Sequence, residues 1–109
     1  MRLATLALIA ATLTACTQVQ QAVDDTARQG AKGVVTETLA TRFPQVPKEL
    51  ITPFTDCIID NASALEIRDF ARAAIVGVDE QTVTTVRTVL ARPETIQCLQ
   101  SRALSNGII

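Results

Sequence analysis

The most chemically distinctive side chains in this 109-residue chain are three cysteines, Cys16, Cys57 and Cys98. A cysteine can carry a lipid, join a disulfide, ligate a metal or act as a nucleophile. The chain contains no histidine, tryptophan or tyrosine. The lack of histidine excludes imidazole bases, histidine metal ligands and Cys-His catalytic pairs, and three cysteines are too few for a four-cysteine zinc site. The lack of tryptophan and tyrosine removes the usual surfaces that stack nucleic-acid bases.

The segment before Cys16 has the layout of a secretory signal. Arg2 supplies a positive charge, and an apolar run of 13 residues from Leu3 to Ala15 follows it, interrupted only by threonines. A membrane-spanning helix needs about 20 apolar residues, so we expect a signal peptide rather than a span. A buried helix is the alternative, but the run has no polar face.

The residues Leu13-Thr14-Ala15-Cys16 end this run in an order that resembles the lipobox of bacterial lipoproteins. The resemblance covers residues 1–16 and implies signal cleavage between Ala15 and Cys16, with diacylglycerol on the Cys16 sulfur and a further acyl chain, such as palmitate, on its amine. Several acyl chains exceed what stable membrane anchoring needs. Thr17, rather than an aspartate, follows the cysteine, which implies the periplasmic face of the outer membrane rather than the inner membrane.

The assignment of Cys16 to lipid leaves Cys57 and Cys98 as a pair in a compartment that permits disulfides. A bridge between them would close a loop of about 42 residues and stabilise the fold by about 4 kcal/mol. A chain of this size has a small core and benefits from such a cross-link. Two free thiols at a metal or redox site are the alternative, although neither cysteine belongs to a CxxC motif.

Two pairs of like charges recur at a spacing of four residues. Asp56 and Asp60 share a helix face and could form a paired-carboxylate or weak cation site, but a solvated face with a favourable dipole contribution from Asp56 is the simpler interpretation. Arg68 and Arg72, with Glu66 within reach, could bind an anionic partner or serve solubility. We predict no catalytic, cofactor-binding or metal-binding residue in the chain.

The chain is expected to divide into three regions. These are a lipoprotein signal peptide over residues 1–15, a lipidated tether or frayed helix over residues 16–33, and a helical domain over residues 34–109. Gly30 and Gly33 each cost a helix about 1 kcal/mol, which favours a tether. Apolar residues nevertheless recur at helical spacing on both sides of these glycines. We expect a helix over residues 34–42 and leave open its continuity with an earlier one over residues 18–29.

The domain is predicted to be all-α, a small bundle of four to five short helices that is stapled by the disulfide behind the anchored tether. Prolines at positions 44 and 47 break the chain after the first helix. The later helices are expected to begin at Pro53 behind the N-cap Thr52, at Ala64 behind the capping-box residue Ser63, after the N-cap Asp79, and at Pro93. Asn61 is a predicted left-handed C-cap, and Gly77 is expected to end the next helix.

Each of these helices has an apolar face that we expect to pack inward. The faces are Phe54, Cys57 and Ile58; Ile67, Phe70, Ala71, Ala74 and Ile75; Val83, Val86, Val89 and Leu90; and Ile96, Leu99, Ala103 and Leu104. Cys98 lies on the back of the last helix, so a bridge to Cys57 would hold that helix with its back on the Cys57 helix and its apolar face on the two helices between them. The last helix is expected to end at Asn106-Gly107, with Ile108 folded back on it.

Two stretches resemble small envelope proteins that are sometimes labelled succinate dehydrogenase. They are Asp56-Cys57-Ile58-Ile59-Asp60-Asn61-Ala62 and Ala91-Arg92-Pro93-Glu94-Thr95. The resemblance implies an accessory subunit of a membrane enzyme complex. The stretches themselves carry no redox chemistry, and the chain lacks the flavin-binding glycines, iron-sulfur cysteines and haem-ligating histidines of a succinate-oxidising subunit.

The sequence as a whole favours a non-enzymatic envelope lipoprotein that needs no cofactor and acts as a structural or accessory protein-binding module. Its expected partners are the lipid bilayer, through acylated Cys16, and another envelope protein. The net charge of −1 disfavours nucleic acid. An accessory enzyme subunit and a small membrane-active lipoprotein are the alternatives, and the latter would need a long, basic amphipathic helix that the last predicted helices do not provide.

Overall fold

The structure is a computed structural model that describes residues 24–105, and this part of the chain is a bundle of five α-helices without strands. The helices are α1 over residues 24–42, α2 over Lys48–Asn61, α3 over Ala64–Val76, α4 over Glu80–Leu90 and α5 over Pro93–Ser105. The all-α fold predicted from the sequence is confirmed. None of the helices in this range is both long and apolar enough to span a bilayer.

Helix α1 runs without interruption through Gly30 and Gly33. A Cβ atom on Gly30 would lie 3.7 Å from the Cβ of Ala74, so α1 and α3 pack closely at this point. Ala31 is fully buried in the core. The hydrophobic core therefore reaches further toward the N-terminus than residue 34, and burial offsets the low helix propensity of the glycines.

The hydrophobic core lies between α1, α2, α3 and α4. Its buried members are Ala31, Val34, Val35, Leu39, Phe43, Ile58, Ile59, Ile67, Phe70, Ala73, Val83, Val86 and Val89. The predicted inward residues among them are Ile67 and Phe70 of α3 and Val83, Val86 and Val89 of α4. Ala71, Ala74 and Ile75 are not core members, and Ile75 is 86% exposed. Leu90 is only partly buried against the core. The buried residues of α3 are Ile67, Phe70 and Ala73, which are spaced three residues apart. A row with this spacing is typical of helices that cross their neighbours at an angle, and it includes Ala73 and not Ile75.

Helix α2 begins earlier than the sequence indicated. Its first residue is Lys48, directly after Pro47 at φ −62° and ψ 149°. The prediction that Thr52 caps this helix and Pro53 opens it is wrong, because Pro53 lies inside the helix. An internal proline removes one backbone hydrogen bond. The burial of Pro53 and the packing of Ile51 against the core offset that cost.

The predicted starts of α3 and α4 are confirmed. Ser63 Oγ accepts from the Glu66 N–H at 3.2 Å while Glu66 Oε1 accepts from the Ser63 N–H at 2.8 Å, which completes a capping box. Asp79 accepts from the Thr82 N–H at 3.0 Å, and this cap lowers the pKa of the Asp79 carboxyl. Gly77 ends α3, as predicted, at φ 102°, a conformation that strains other residues.

Helix α5 packs chiefly against α2 and more lightly against α4. The predicted contact with α2 is confirmed, but the prediction that the whole apolar stripe faces inward is wrong: Ala103 is buried, whereas Ile96 is 44% and Leu104 65% exposed. The bridge through Cys98 draws the back of α5 toward α2 and turns part of the stripe outward. The predicted helix end at residues 106–108 lies outside the described residues.

Candidate functional site

A disulfide joins α2 to α5. The bridge links Cys57 to Cys98, whose Cα atoms are 5.7 Å apart, and it confirms the predicted pairing. Cys57 is fully buried and Cys98 is half-buried. The bridge uses two of the three cysteines in the chain, and Cys16 is the third. Cys16 and the predicted cleavage site after Ala15 lie outside the described residues.

A polar cluster lies beside this bridge, at the turn between α4 and α5. Arg92 donates through Nη1 and Nη2 to the two carboxylate oxygens of Glu66, at 2.7 and 2.8 Å. Its Nη1 also donates to the Asn61 carbonyl at 2.9 Å, and Asn61 Nδ2 donates to the Cys57 carbonyl at 2.8 Å. We call Asn61, Glu66 and Arg92 the Arg92 junction. One guanidinium thus ties the end of α2 and the start of α3 to the turn that leads into α5.

The electrostatics of the Arg92 junction hold both partners in their charged forms. The hydrogen bond from Arg92 is the main cause that lowers the pKa of the Glu66 carboxyl, and the Ser63 cap lowers it further against the opposing effect of burial. The same bond raises the pKa of Arg92. An acid or base catalyst needs a pKa near the working pH, and both groups are shifted away from it. The junction is therefore suited to holding helices together and not to proton transfer.

The Arg92 junction corrects two expectations from the sequence. Asn61 is the last residue of α2 and not a left-handed cap, because its side chain bonds back to Cys57; within residues 24–105 only Gly77 has a positive φ. Glu66 pairs with Arg92 and not with Arg68 or Arg72. Sequence reasoning missed the Glu66 to Arg92 pair, because the two residues are 26 apart and no local pattern links them.

The two stretches singled out in the sequence, residues 56–62 and residues 91–95, meet at this place. Arg92, from the second stretch, donates to Asn61 in the first, while Cys57 of the first forms the disulfide. Asp56 and Asp60, also in the first stretch, lie 3.4 and 3.3 Å from the guanidinium of Arg102. All of these contacts join one helix to another or to the turn that leads into α5, so they give both stretches a structural role in holding the bundle together.

The Asp56 and Asp60 pair lies on the surface between helices. Besides Arg102 on α5, Lys32 on α1 lies 3.5 Å from Asp56. Two basic side chains therefore balance the two carboxylates, which disfavours a metal-cation site. The pair belongs to a charged surface, as the simpler interpretation predicted, and it also forms ion pairs with α1 and α5. Exposed pairs of this kind contribute about 0.2 to 1 kcal/mol each. Among the described residues, no group of three potential metal ligands comes together.

Two clefts flank α3. One, of about 230 Å³, lies between α3 and α4, with Phe70 and Ala73 among its lining and charged side chains of Asp69 and Arg72 beside them. The other, of about 250 Å³, lies between α1 and α3 and includes Arg68. Typical small-molecule pockets measure about 300 to 1,000 Å³, so these clefts are smaller than a usual ligand site.

Thr95 carries a buried hydroxyl that no described group satisfies. The side chain is fully buried on α5. We expect Thr95→Val to raise the free energy of unfolding by about 1 kcal/mol, because valine has a similar shape and removes an unpaired polar group from the core. Urea unfolding followed by circular dichroism would measure the change.

Thr38 provides the matched control for this substitution. It is also fully buried in a helix, but its hydroxyl donates to the Val34 carbonyl at 2.7 Å. Thr38→Val should lower the unfolding free energy by about 0.5 to 1 kcal/mol or leave it unchanged, since it removes a made hydrogen bond. A greater loss for Thr95→Val than for Thr38→Val would contradict the interpretation of Thr95.

The comparison with known proteins adds no relative. No protein-family model, no curated protein and no solved structure matches the chain.

Proposed function

We propose that the chain is a lipid-anchored protein of the bacterial envelope with a non-enzymatic, structural or accessory binding role. The disulfide carries the proposal. It pairs two of the three cysteines and leaves Cys16, within Leu13-Thr14-Ala15-Cys16, for lipid. A disulfide in a small domain is typical of oxidising compartments such as the periplasm, which is also where a lipobox would direct the chain. Thr17 supports the periplasmic face of the outer membrane.

A binding role is supported by what the surface exposes. The charged groups with the most defined geometry hold the bundle together: Glu66 and Arg92 join helix ends, and Arg102 joins α5 to α2. Large apolar side chains stay exposed on α3 and α5, namely Leu65, Ile75, Val76, Ile96 and Leu104. Exposed apolar surface of this kind favours contact with another protein of the envelope. No cofactor is needed for such a role.

The substitution Cys16→Ser in the full chain tests the anchor. The chain is expressed in a bacterial host that is fed an alkyne-labelled fatty acid. The unmodified chain should carry the label, whereas Cys16→Ser should carry none and should accumulate as an uncleaved or soluble form. The double variant Cys57→Ser/Cys98→Ser is the matched control, because it keeps Cys16 and should keep the label. Label or unchanged membrane attachment in Cys16→Ser would overturn the proposal. A flavin, haem or iron-sulfur spectrum from the purified chain would overturn its non-enzymatic part.

A further inference from the structure

The outer face of α3 carries a row of four exposed side chains. They are Leu65, Asp69, Arg72 and Val76, which follow one another at spacings of four, three and four residues. At 3.6 residues per turn they fall within an arc of about 60°. Leu65 is 69% and Val76 71% exposed. Asp69 and Arg72 form no ion pair within the described part of the chain. We call this row the α3 stripe.

The order of the α3 stripe, apolar, acidic, basic and apolar, is complementary to itself when reversed. If two copies of α3 lie antiparallel, with a two-fold axis between Phe70 and Ala71, Leu65 faces Val76 of the second copy. In the same arrangement Asp69 faces Arg72 of the second copy. The symmetry repeats each contact, so the pairing makes two apolar contacts and two ion pairs. A parallel pairing would instead place Asp69 on Asp69 and Arg72 on Arg72, which is repulsive.

We propose that two copies of this chain associate through their α3 stripes as an antiparallel, two-fold symmetric dimer. The alternating spacing of four and three residues is that of a coiled-coil seam, which lets two helices pack along their length. Three of the four stripe residues, Asp69, Arg72 and Val76, line the open cleft between α3 and α4, so these side chains are accessible to a second copy. The occupant is a second copy because the charges of the stripe match their own reversed order.

The size of the interface predicts a reversible dimer. Helix α3 has 13 residues and is therefore about 20 Å long. A contact of this length falls below the roughly 1,200 Å² that stable interfaces bury, so we expect association to be weak in dilute solution. Confinement to a membrane would raise the local concentration and favour pairing. The pairing of the stripes does not itself depend on the proposed anchor, so each proposal can fail alone.

Engineered cross-links in the full chain test the geometry. Copies with Leu65→Cys and copies with Val76→Cys are expressed together in cells, oxidised, and analysed by mass spectrometry of the linked peptides. The antiparallel dimer predicts a link between positions 65 and 76. Either variant expressed alone should give about a tenth of that yield or less, because like positions lie about 16 Å apart, beyond the reach of a disulfide. A prevalent link between two copies of position 65 would overturn the proposal, as would no link above background.

A charge swap tests the chemistry of the contact. Asp69→Arg and Arg72→Asp, each added to both cross-linking copies, should lower the yield of the 65 to 76 link by about tenfold, since each replaces two attractive pairs with repulsive ones. The combination Asp69→Arg/Arg72→Asp should restore it, because the reversed stripe is again self-complementary.

The control for the charge swap is Glu37→Arg, which makes the same change of charge as Asp69→Arg at an exposed position on α1. Its cross-link yield should stay within about twofold of the unmodified stripe, given how little an exposed charge away from the contact contributes. Circular dichroism confirms that each variant is folded. The proposal would be overturned if the single variants gave the same yield of the 65 to 76 link as the unmodified stripe. It would also be overturned if the combination Asp69→Arg/Arg72→Asp failed to restore that yield.

Discussion

Replacement of Cys57 and Cys98 together by alanine is expected to lower the free energy of unfolding by about 4 kcal/mol. The two cysteines are 41 residues apart in sequence, so the bridge removes much of the freedom of the unfolded chain. Native domains are stable by only about 5 to 15 kcal/mol, so this change removes a large share of the total. The loss of a fully buried sulfur at Cys57 adds a packing defect in α2.

Thermal unfolding of the full chain in a mild detergent, followed by circular dichroism, would measure this effect. We expect the Tm to fall by about 15 to 30 °C, from the usual shift of about 4 to 8 °C per kcal/mol in a domain of this size. A reducing agent should lower the Tm of the unmodified chain by a similar amount, whereas Cys16→Ser should leave it unchanged. A double alanine variant that unfolds within a few degrees of the unmodified chain would show that the bridge is not a main stabiliser.

The substitution Arg92→Ala is expected to lower the free energy of unfolding by about 2 to 3 kcal/mol. It leaves the Glu66 carboxylate, whose side chain is only 15% exposed, without its cation, and it removes the donor from the Asn61 carbonyl. The loss of one partner from a buried pair costs about 3 to 5 kcal/mol, and the partial exposure of Arg92 reduces that figure. Arg92→Lys should recover only part of the loss, because an ammonium cannot bond both carboxylate oxygens in a fork.

Arg102→Ala is the matched control, because it removes the same side chain from a more exposed pair of contacts between α5 and α2. Its bonds to Asp56 and Asp60 are longer, at 3.4 and 3.3 Å, so the substitution should cost less than about 1 kcal/mol. Urea unfolding of both variants provides the comparison. Equal losses would mean that the Arg92 junction is no more than a surface ion pair.

The Arg92 junction also predicts a pH dependence. Arg92 lowers the pKa of Glu66 from its ordinary value of 4.5 in the folded protein. A carboxyl with a lowered pKa contributes its full stability above the unfolded value and loses that contribution as the pH falls through the folded value. The difference in unfolding free energy between the unmodified chain and Arg92→Ala should therefore shrink as the pH falls below 4.5. A difference that stays constant on acidification would contradict this origin of the stability.

Features that depend on neighbouring residues could be predicted from the sequence. The capping box at Ser63, the N-cap at Asp79 and the end of α3 at Gly77 are each decided within one helical turn, so local chemistry is sufficient. The disulfide could also be predicted, although Cys57 and Cys98 are far apart, because the expected lipidation of Cys16 left only one pairing. The start of α2 could not, because the burial of Pro53 depends on helices elsewhere in the chain.

The sequence by itself determined the all-α class, the extent of α3 and the start of α4, and it predicted the pairing of Cys57 with Cys98. Only the tertiary structure decided which parts of each apolar face are covered, as the exposure of Ile75 and Leu104 shows. It also decided that Glu66 pairs with Arg92 rather than with a basic residue on its own helix. The physical reason is that periodicity shows that a helix has an apolar face, whereas the crossing and position of its neighbours decide which residues they bury.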